Sequence, residues 1–113
     1  MRILIVEDDA AIVDALSALL QTEGHEVTAA SRQDEAVGLL SSRTFDLALL
    51  DVTLRQGTGF GVCAAAREIT PAMPVIFLTA SDDEFSTVAG LDMGAADYIA
   101  KPFRARELLA RIH

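Results

Sequence analysis

Four short apolar runs in this chain each give way to a residue type that can do chemistry. Ile3-Leu4-Ile5-Val6 is followed by Glu7-Asp8-Asp9, Leu47-Ala48-Leu49-Leu50 by Asp51, Val75-Ile76-Phe77-Leu78 by Thr79, and Tyr98-Ile99-Ala100 by Lys101. Clustered carboxylates repel one another unless a cation compensates. An all-oxygen acidic site suits a hard divalent ion, and Mg²⁺ accepts a few carboxylates together with water and a phosphoryl oxygen. Asp51 could then serve as a metal ligand, a base or a nucleophile; a carboxylate that attacks phosphorus forms an acyl phosphate. Such a transfer needs positioning and charge neutralisation on the phosphoryl oxygens. Mg²⁺, the Lys101 ammonium and the Thr79 hydroxyl are contacts of those kinds, so phosphoryl capture fits these residue types best.

Each residue taken singly has a plainer use. Asp8 and Asp9 could cap a helix, Thr79 could bond its own backbone, Lys101 could be a solvated charge, and Tyr98 could be a half-buried strand aromatic. The functional reading gains weight because all of them fall on one predicted edge.

That edge follows from the elements. Arg2–Val6 reads as a first strand, and Ile12, Val13, Leu16, Leu19 and Leu20 recur at helical spacing up to a C-terminal Gly24. His25–Ala30 reads as an edge strand, and Ser31 with Asp34 as a capping box for a helix through Val37, Leu39 and Leu40. The run from Phe45 to Leu54 is a central strand ending on Asp51. A glycine-rich turn, Arg55 to Gly59, leads to a small-residue helix from about Phe60 to Ile69. After Pro71 and Pro74 comes the strand ending on Thr79. Ser81-Asp82-Asp83-Glu84 caps a helix carrying Phe85, Val88 and Leu91, closed by Gly94. A fifth strand lies around Tyr98 and Ile99, and Leu108, Leu109 and Ile112 mark a final helix. Strand and helix alternate without linker or repeat, which predicts an α/β domain with a parallel sheet and helices on both faces. Its strands end on a common edge, where ligands bind at a switch in strand order.

Composition narrows the alternatives. A chain of 113 residues, 51% hydrophobic, is one domain with material for a core. A formal charge of -8 argues against gripping nucleic acid or an anionic membrane. The lone Cys63 leaves no intramolecular disulfide or cysteine-based zinc site, and its setting, Cys63-Ala64-Ala65-Ala66, predicts a packed helical thiol. No apolar run is long enough to span a bilayer, and the N-terminal run turns acidic too early for a signal peptide, so a cytoplasmic protein is expected. His113 falls in mid-helix pattern, which predicts that the chain continues in a longer protein.

The combination of Glu7-Asp8-Asp9, Asp51, Thr79-Ala80 and Lys101-Pro102-Phe103 resembles the receiver domain of two-component response regulators across essentially the whole chain. Gly90 to Ile99 and Lys101 to Ile112 resemble its OmpR/PhoB-type subfamily. The resemblance implies a flavodoxin-like, CheY-like doubly wound sheet of strand order 2-1-3-4-5. It implies a phosphorylation-activated switch, not an enzyme in the ordinary sense, with Asp51 as phosphoacceptor from a sensor histidine kinase. By the same resemblance Mg²⁺ is held by Asp8, Asp9, Asp51 and the Thr53 backbone carbonyl, with Asp9 the direct ligand and Asp8 acting through water. Lys101 pairs with the phosphoryl group, its bond to Pro102 being usually cis in the family. Thr79 and Tyr98 form the switch, whose settings exchange as a population shift. The face made by the fourth helix, fifth strand and fifth helix would form a symmetric dimer. There Asp97 and Arg111 match one cross-interface ion pair and Glu107 matches half of another; Thr87 and Ala96 depart from the usual partners. A C-terminal winged-helix effector domain, absent from this chain, would contact DNA and control transcription.

The turn after Asp51 departs from the family, with Arg55-Gln56 where proline and its neighbour are usual. Losing proline frees the backbone there, which predicts an altered phosphoryl lifetime or metal affinity. Thr53 and Ser81 flank the attacking-water position in the family and are expected to tune the same lifetime. Three other functions compete. A Mg²⁺-dependent aspartyl-phosphate hydrolase wants a second acid two residues after the nucleophile, where Thr53 stands. A flavin or nucleotide module wants an anion cradle after the first strand, where acids stand. A pseudo-receiver making only protein contacts fits poorly with Asp9, Asp51, Thr79 and Lys101 all intact.

Overall fold

Strands β1 (Arg2–Val6), β2 (Glu26–Ala30), β3 (Leu47–Asp51), β4 (Val75–Thr79) and β5 (Asp97–Ala100) pair in parallel in the order β2-β1-β3-β4-β5. This computed structural model describes residues 1–79, 97–100 and 104–112, without the side chains of Thr79, Asp97, Tyr98 and Ala100. The helix expected from Ser81 to Gly94, and the Lys101-Pro102-Phe103 motif, lie outside the described residues. Four helices are described: α1 (Ala10–Thr22), α2 (Gln33–Ser42), α3 (Gly59–Ile69) and α4 (Ala105–Ile112).

β1, β3 and β4 are apolar on both faces because both faces are covered, whereas the edge strand β2 is mostly exposed or half-buried. Alternation sends Leu4, Val6, Ala48, Leu50 and Phe77 to one side, where they pack with Ala36 and Leu40 of α2 and Val62, Cys63 and Ala66 of α3. Ile3, Ile5, Leu47, Leu49, Ile76 and Leu78 go to the other side, against Leu16 and Leu20 of α1 and Leu108 of α4. Burying each leucine or isoleucine fully contributes about 1.5–3 kcal/mol. The small side chains of Cys63 and Ala66 let α3 lie close on the sheet.

Helix ends follow local chemistry, with one exception. Asp9 caps α1, its carboxylate accepting from the Ala11 and Ile12 amides at 2.9 and 3.4 Å. Gly24 closes the same helix at φ 86°, a left-handed conformation that suits glycine. The Thr58 side chain caps α3 by accepting from the Gly61 amide at 3.1 Å. The expected Ser31/Asp34 capping box does not form. α2 begins at Gln33, and its N-cap Arg32 makes no side-chain cap bond. Glu35 instead accepts from the Ser31 amide at 2.8 Å, which is half of a box displaced by one residue. The Asp34 amide finds its acceptor far away in sequence, at Gln56 Oε1, 3.0 Å.

From β1 the chain crosses through α1 outward to β2, then through α2 back past β1 to β3. The ends of β1 and β3 therefore face a topological switch, the position where α/β sheets bind ligands.

Candidate functional site: an acidic pocket at the β1–β3 switch

The register fixes which acids meet. Ile5 pairs with Leu49 and Val6 with Leu50. One step further, Glu7 comes level with Asp51, on the same side of the sheet by alternation. Carboxylate oxygens of Glu7, Asp8 and Asp51 lie within 4.8 Å of one another. Glu7 is only 2% exposed and Asp51 9%, with Asp8 half-buried. Two further contacts hold Glu7. Its amide donates to the Ala30 carbonyl at 3.0 Å, and its Oε1 accepts from the Asp9 amide at 3.1 Å.

Asp9, expected as the direct metal ligand, is not in this group. It is exposed, and its carboxylate is directed at the first turn of α1. Glu7, not Asp9, completes the cluster with Asp8 and Asp51. The β1–β3 register, which residue order does not display, is what brings Glu7 level with Asp51. Three acids sharing one pocket, two of them buried, form a donor set of oxygens alone that fits a hard divalent cation.

The loop after β3 folds back against the backbone of Asp51 and Val52. Thr53 and Thr58 form an isolated antiparallel bridge, and the Gly59 amide donates to the Val52 carbonyl at 2.9 Å. A Cβ on Gly59 would stand 2.1 Å from the Asp51 carbonyl oxygen, so only glycine allows this approach. β4 ends on Thr79, which pairs with Ala100 at the end of β5. The side chains expected to act as the switch, those of Thr79 and Tyr98, and the Lys101 ammonium lie outside those described.

The residues expected on a dimer face are seen in part. Arg111 and Glu107 lie on α4, where Arg111 Nε stands 3.5 Å from Glu107 Oε1. This (i, i+4) pair is well exposed and of the kind that contributes little to stability. The side chain of Asp97, the expected partner of Arg111, is not described. Cys63 is buried on α3, and burial raises its thiol above the ordinary value, with nearby Arg67 opposing. Among the described residues no helix is long and apolar enough to cross a membrane.

A family model for the response regulator receiver domain matches residues 3–113. The chain belongs to the response regulator receiver family. This receiver domain is 45% identical over 112 residues to the transcriptional regulatory protein DltR of Streptococcus agalactiae, covering 99% of the chain and 50% of that protein. It thus spans about half the length of the curated relatives it matches. Among solved structures it resembles a CheY-like receiver domain protein from Methanospirillum hungatei, at TM-score 0.94 and 37% identity, over 98% of this chain and 89% of that one. It is also similar to the BeF3-activated N-terminal receiver domain of Klebsiella pneumoniae RstA, at TM-score 0.92 and 32% identity, over 99% and 95%. The receiver domain is a signalling module of a two-component response regulator, with the CheY-like parallel α/β fold.

Proposed function

We propose that this receiver domain is a phosphorylation switch in which Asp51 accepts a phosphoryl group from a sensor histidine kinase. One observation carries the reading: Asp51 ends the central strand beside two other carboxylates, Glu7 and Asp8, at the sheet's switch point. An Asp51 oxygen attacks phosphorus, the P–N bond to the kinase histidine breaks, and the imidazole nitrogen leaves with the bonding pair. The product is an acyl phosphate on Asp51. Glu7, Asp8, Asp51 and the Thr53 backbone carbonyl would hold Mg²⁺, which neutralises the crowded oxygens when bound. Asp9 is left to cap α1. Lys101 and Thr79 contact the transferred group, and Thr79 and Tyr98 shift together once its added charge and acceptor oxygens favour one loop arrangement.

The output is read at the face of β5 and α4. There Asp97, Glu107 and Arg111 serve a symmetric dimer of OmpR/PhoB type, in which Arg111 would leave Glu107 to pair with Asp97 across the interface. In the full-length protein a winged-helix effector domain follows and controls transcription in the cytoplasm. Support for this last step is the similarity to a transcriptional regulator twice as long.

The test is intact mass after incubation with acetyl phosphate, with and without Mg²⁺, beside Asp51→Asn. A single Mg²⁺-dependent adduct, lost in the variant, is expected. An adduct that persists in Asp51→Asn refutes the assignment.

A further inference from the structure

The loop between β3 and α3 carries Arg55-Gln56 in place of a rigid turn, yet it is fastened from outside. The fastening is reciprocal and uses two glutamines. Gln56 offers its backbone carbonyl to the Gln33 amide at 3.0 Å and its side-chain oxygen to the Asp34 amide at 3.0 Å. Both amides belong to the first turn of α2, which lacks a side-chain cap of its own. In return, Gln33 Oε1 accepts from the Thr58 amide at 3.0 Å. Thr58 is at once the bridge partner of Thr53 and the cap of α3.

The glycines around this contact are shaped to it. A Cβ on Gly57, which has φ 77°, would stand 2.2 Å from Gln33 Oε1. One on Gly61 would stand 2.4 Å from the same amide group. Two glycines 4 positions apart thus leave the space that the Gln33 side chain fills. The loop's other end is pinned by Gly59 against the Asp51 carbonyl.

We propose that Gln33 and Gln56 are positioning residues for the metal-dependent chemistry of Asp51. Their clasp holds the Thr53–Thr58 bridge, and with it the Thr53 carbonyl, in place for the cation. Proline restrains such a turn through its ring; here side-chain hydrogen bonds to and from α2 restrain it. The proposal rests on the function proposed above and adds to it the residues that set cation affinity.

The experiment is Mg²⁺ titration by calorimetry of the natural chain, Gln33→Ala, Gln56→Ala and Gln56→Glu, with amide hydrogen exchange and urea unfolding of each. Gln33→Ala and Gln56→Ala are expected to weaken Mg²⁺ binding about fivefold, the effect of losing one ordinary hydrogen bond. The Thr58 amide should exchange faster in the first and the Asp34 amide in the second. Gln56→Glu keeps an acceptor at the α2 N-terminus, where negative charge is favourable, and should restore the natural affinity. Unchanged Mg²⁺ affinity in both alanine variants, whatever happens to their urea midpoints, overturns the positioning role alone. A natural chain that binds no Mg²⁺ overturns the functional reading and this proposal with it.

Discussion

Glu7→Gln and Asp9→Asn make a paired test of which acid beside Asp8 serves the cation. Each change keeps the hydrogen bond described for its residue. Glutamine retains an Oε1 to accept from the Asp9 amide, and asparagine caps a helix as well as aspartate does. What changes is the charge. Unit charges at the 4.8 Å limit of the cluster interact by about 0.9 kcal/mol even at the dielectric of water, and a divalent cation doubles this to about 1.7 kcal/mol. Because about 1.4 kcal/mol is tenfold, Glu7→Gln should weaken Mg²⁺ binding by about 10- to 20-fold. Burial of Glu7 in a lower dielectric pushes the effect upward from there. Asp9 is exposed and outside the cluster, so salt at physiological strength screens it, and Asp9→Asn should cost about twofold or less. Without Mg²⁺ the sign reverses: Glu7→Gln relieves repulsion among three carboxylates and should raise the urea midpoint. Calorimetric Mg²⁺ titration and urea unfolding measure both. Greater loss of affinity in Asp9→Asn than in Glu7→Gln would refute the assignment of Glu7.

Gly59→Ala puts a Cβ 2.1 Å from the Asp51 carbonyl oxygen, a backbone atom at the end of a central strand that cannot yield cheaply. A loss of about 2–4 kcal/mol in urea unfolding is expected, with slower phosphorylation from acetyl phosphate; a natural urea midpoint would show that the loop can move away. Cys63 is buried and its thiol raised, so iodoacetamide at neutral pH should leave the folded chain unlabelled and modify it fully in denaturant. The raised thiol also means that stability present below the unfolded thiol's pKa, about 8.5, is lost as pH rises beyond it. Cys63→Ser should flatten that alkaline decline.

Elements with strong periodicity are legible from residue order alone. The apolar runs Ile3–Val6 and Leu47–Leu50 suit only strands covered on both faces, and their common polarity puts Glu7, Asp8 and Asp51 on one edge. Gly24 and the helical spacing from Ile12 to Leu20 place α1 within a residue or two of its ends. Local patterns of this kind are written in neighbours, and neighbours are what a sequence displays.

Two features are not legible in that way because they depend on contacts between distant residues. Whether Asp9 serves a cation or a helix is decided by where β1 stops and α1 begins, and by the β1–β3 register that brings Glu7 level with Asp51. The start of α2 departs from its local capping pattern because its cap is Gln56, 22 residues from the Asp34 amide that it accepts from. The sequence by itself determined the elements, their order and the acids available at the sheet edge, since hydrophobic periodicity is local. Tertiary structure alone decided which acids cluster and what fastens the loop after β3, since strand register and loop docking bring together groups that the chain keeps apart.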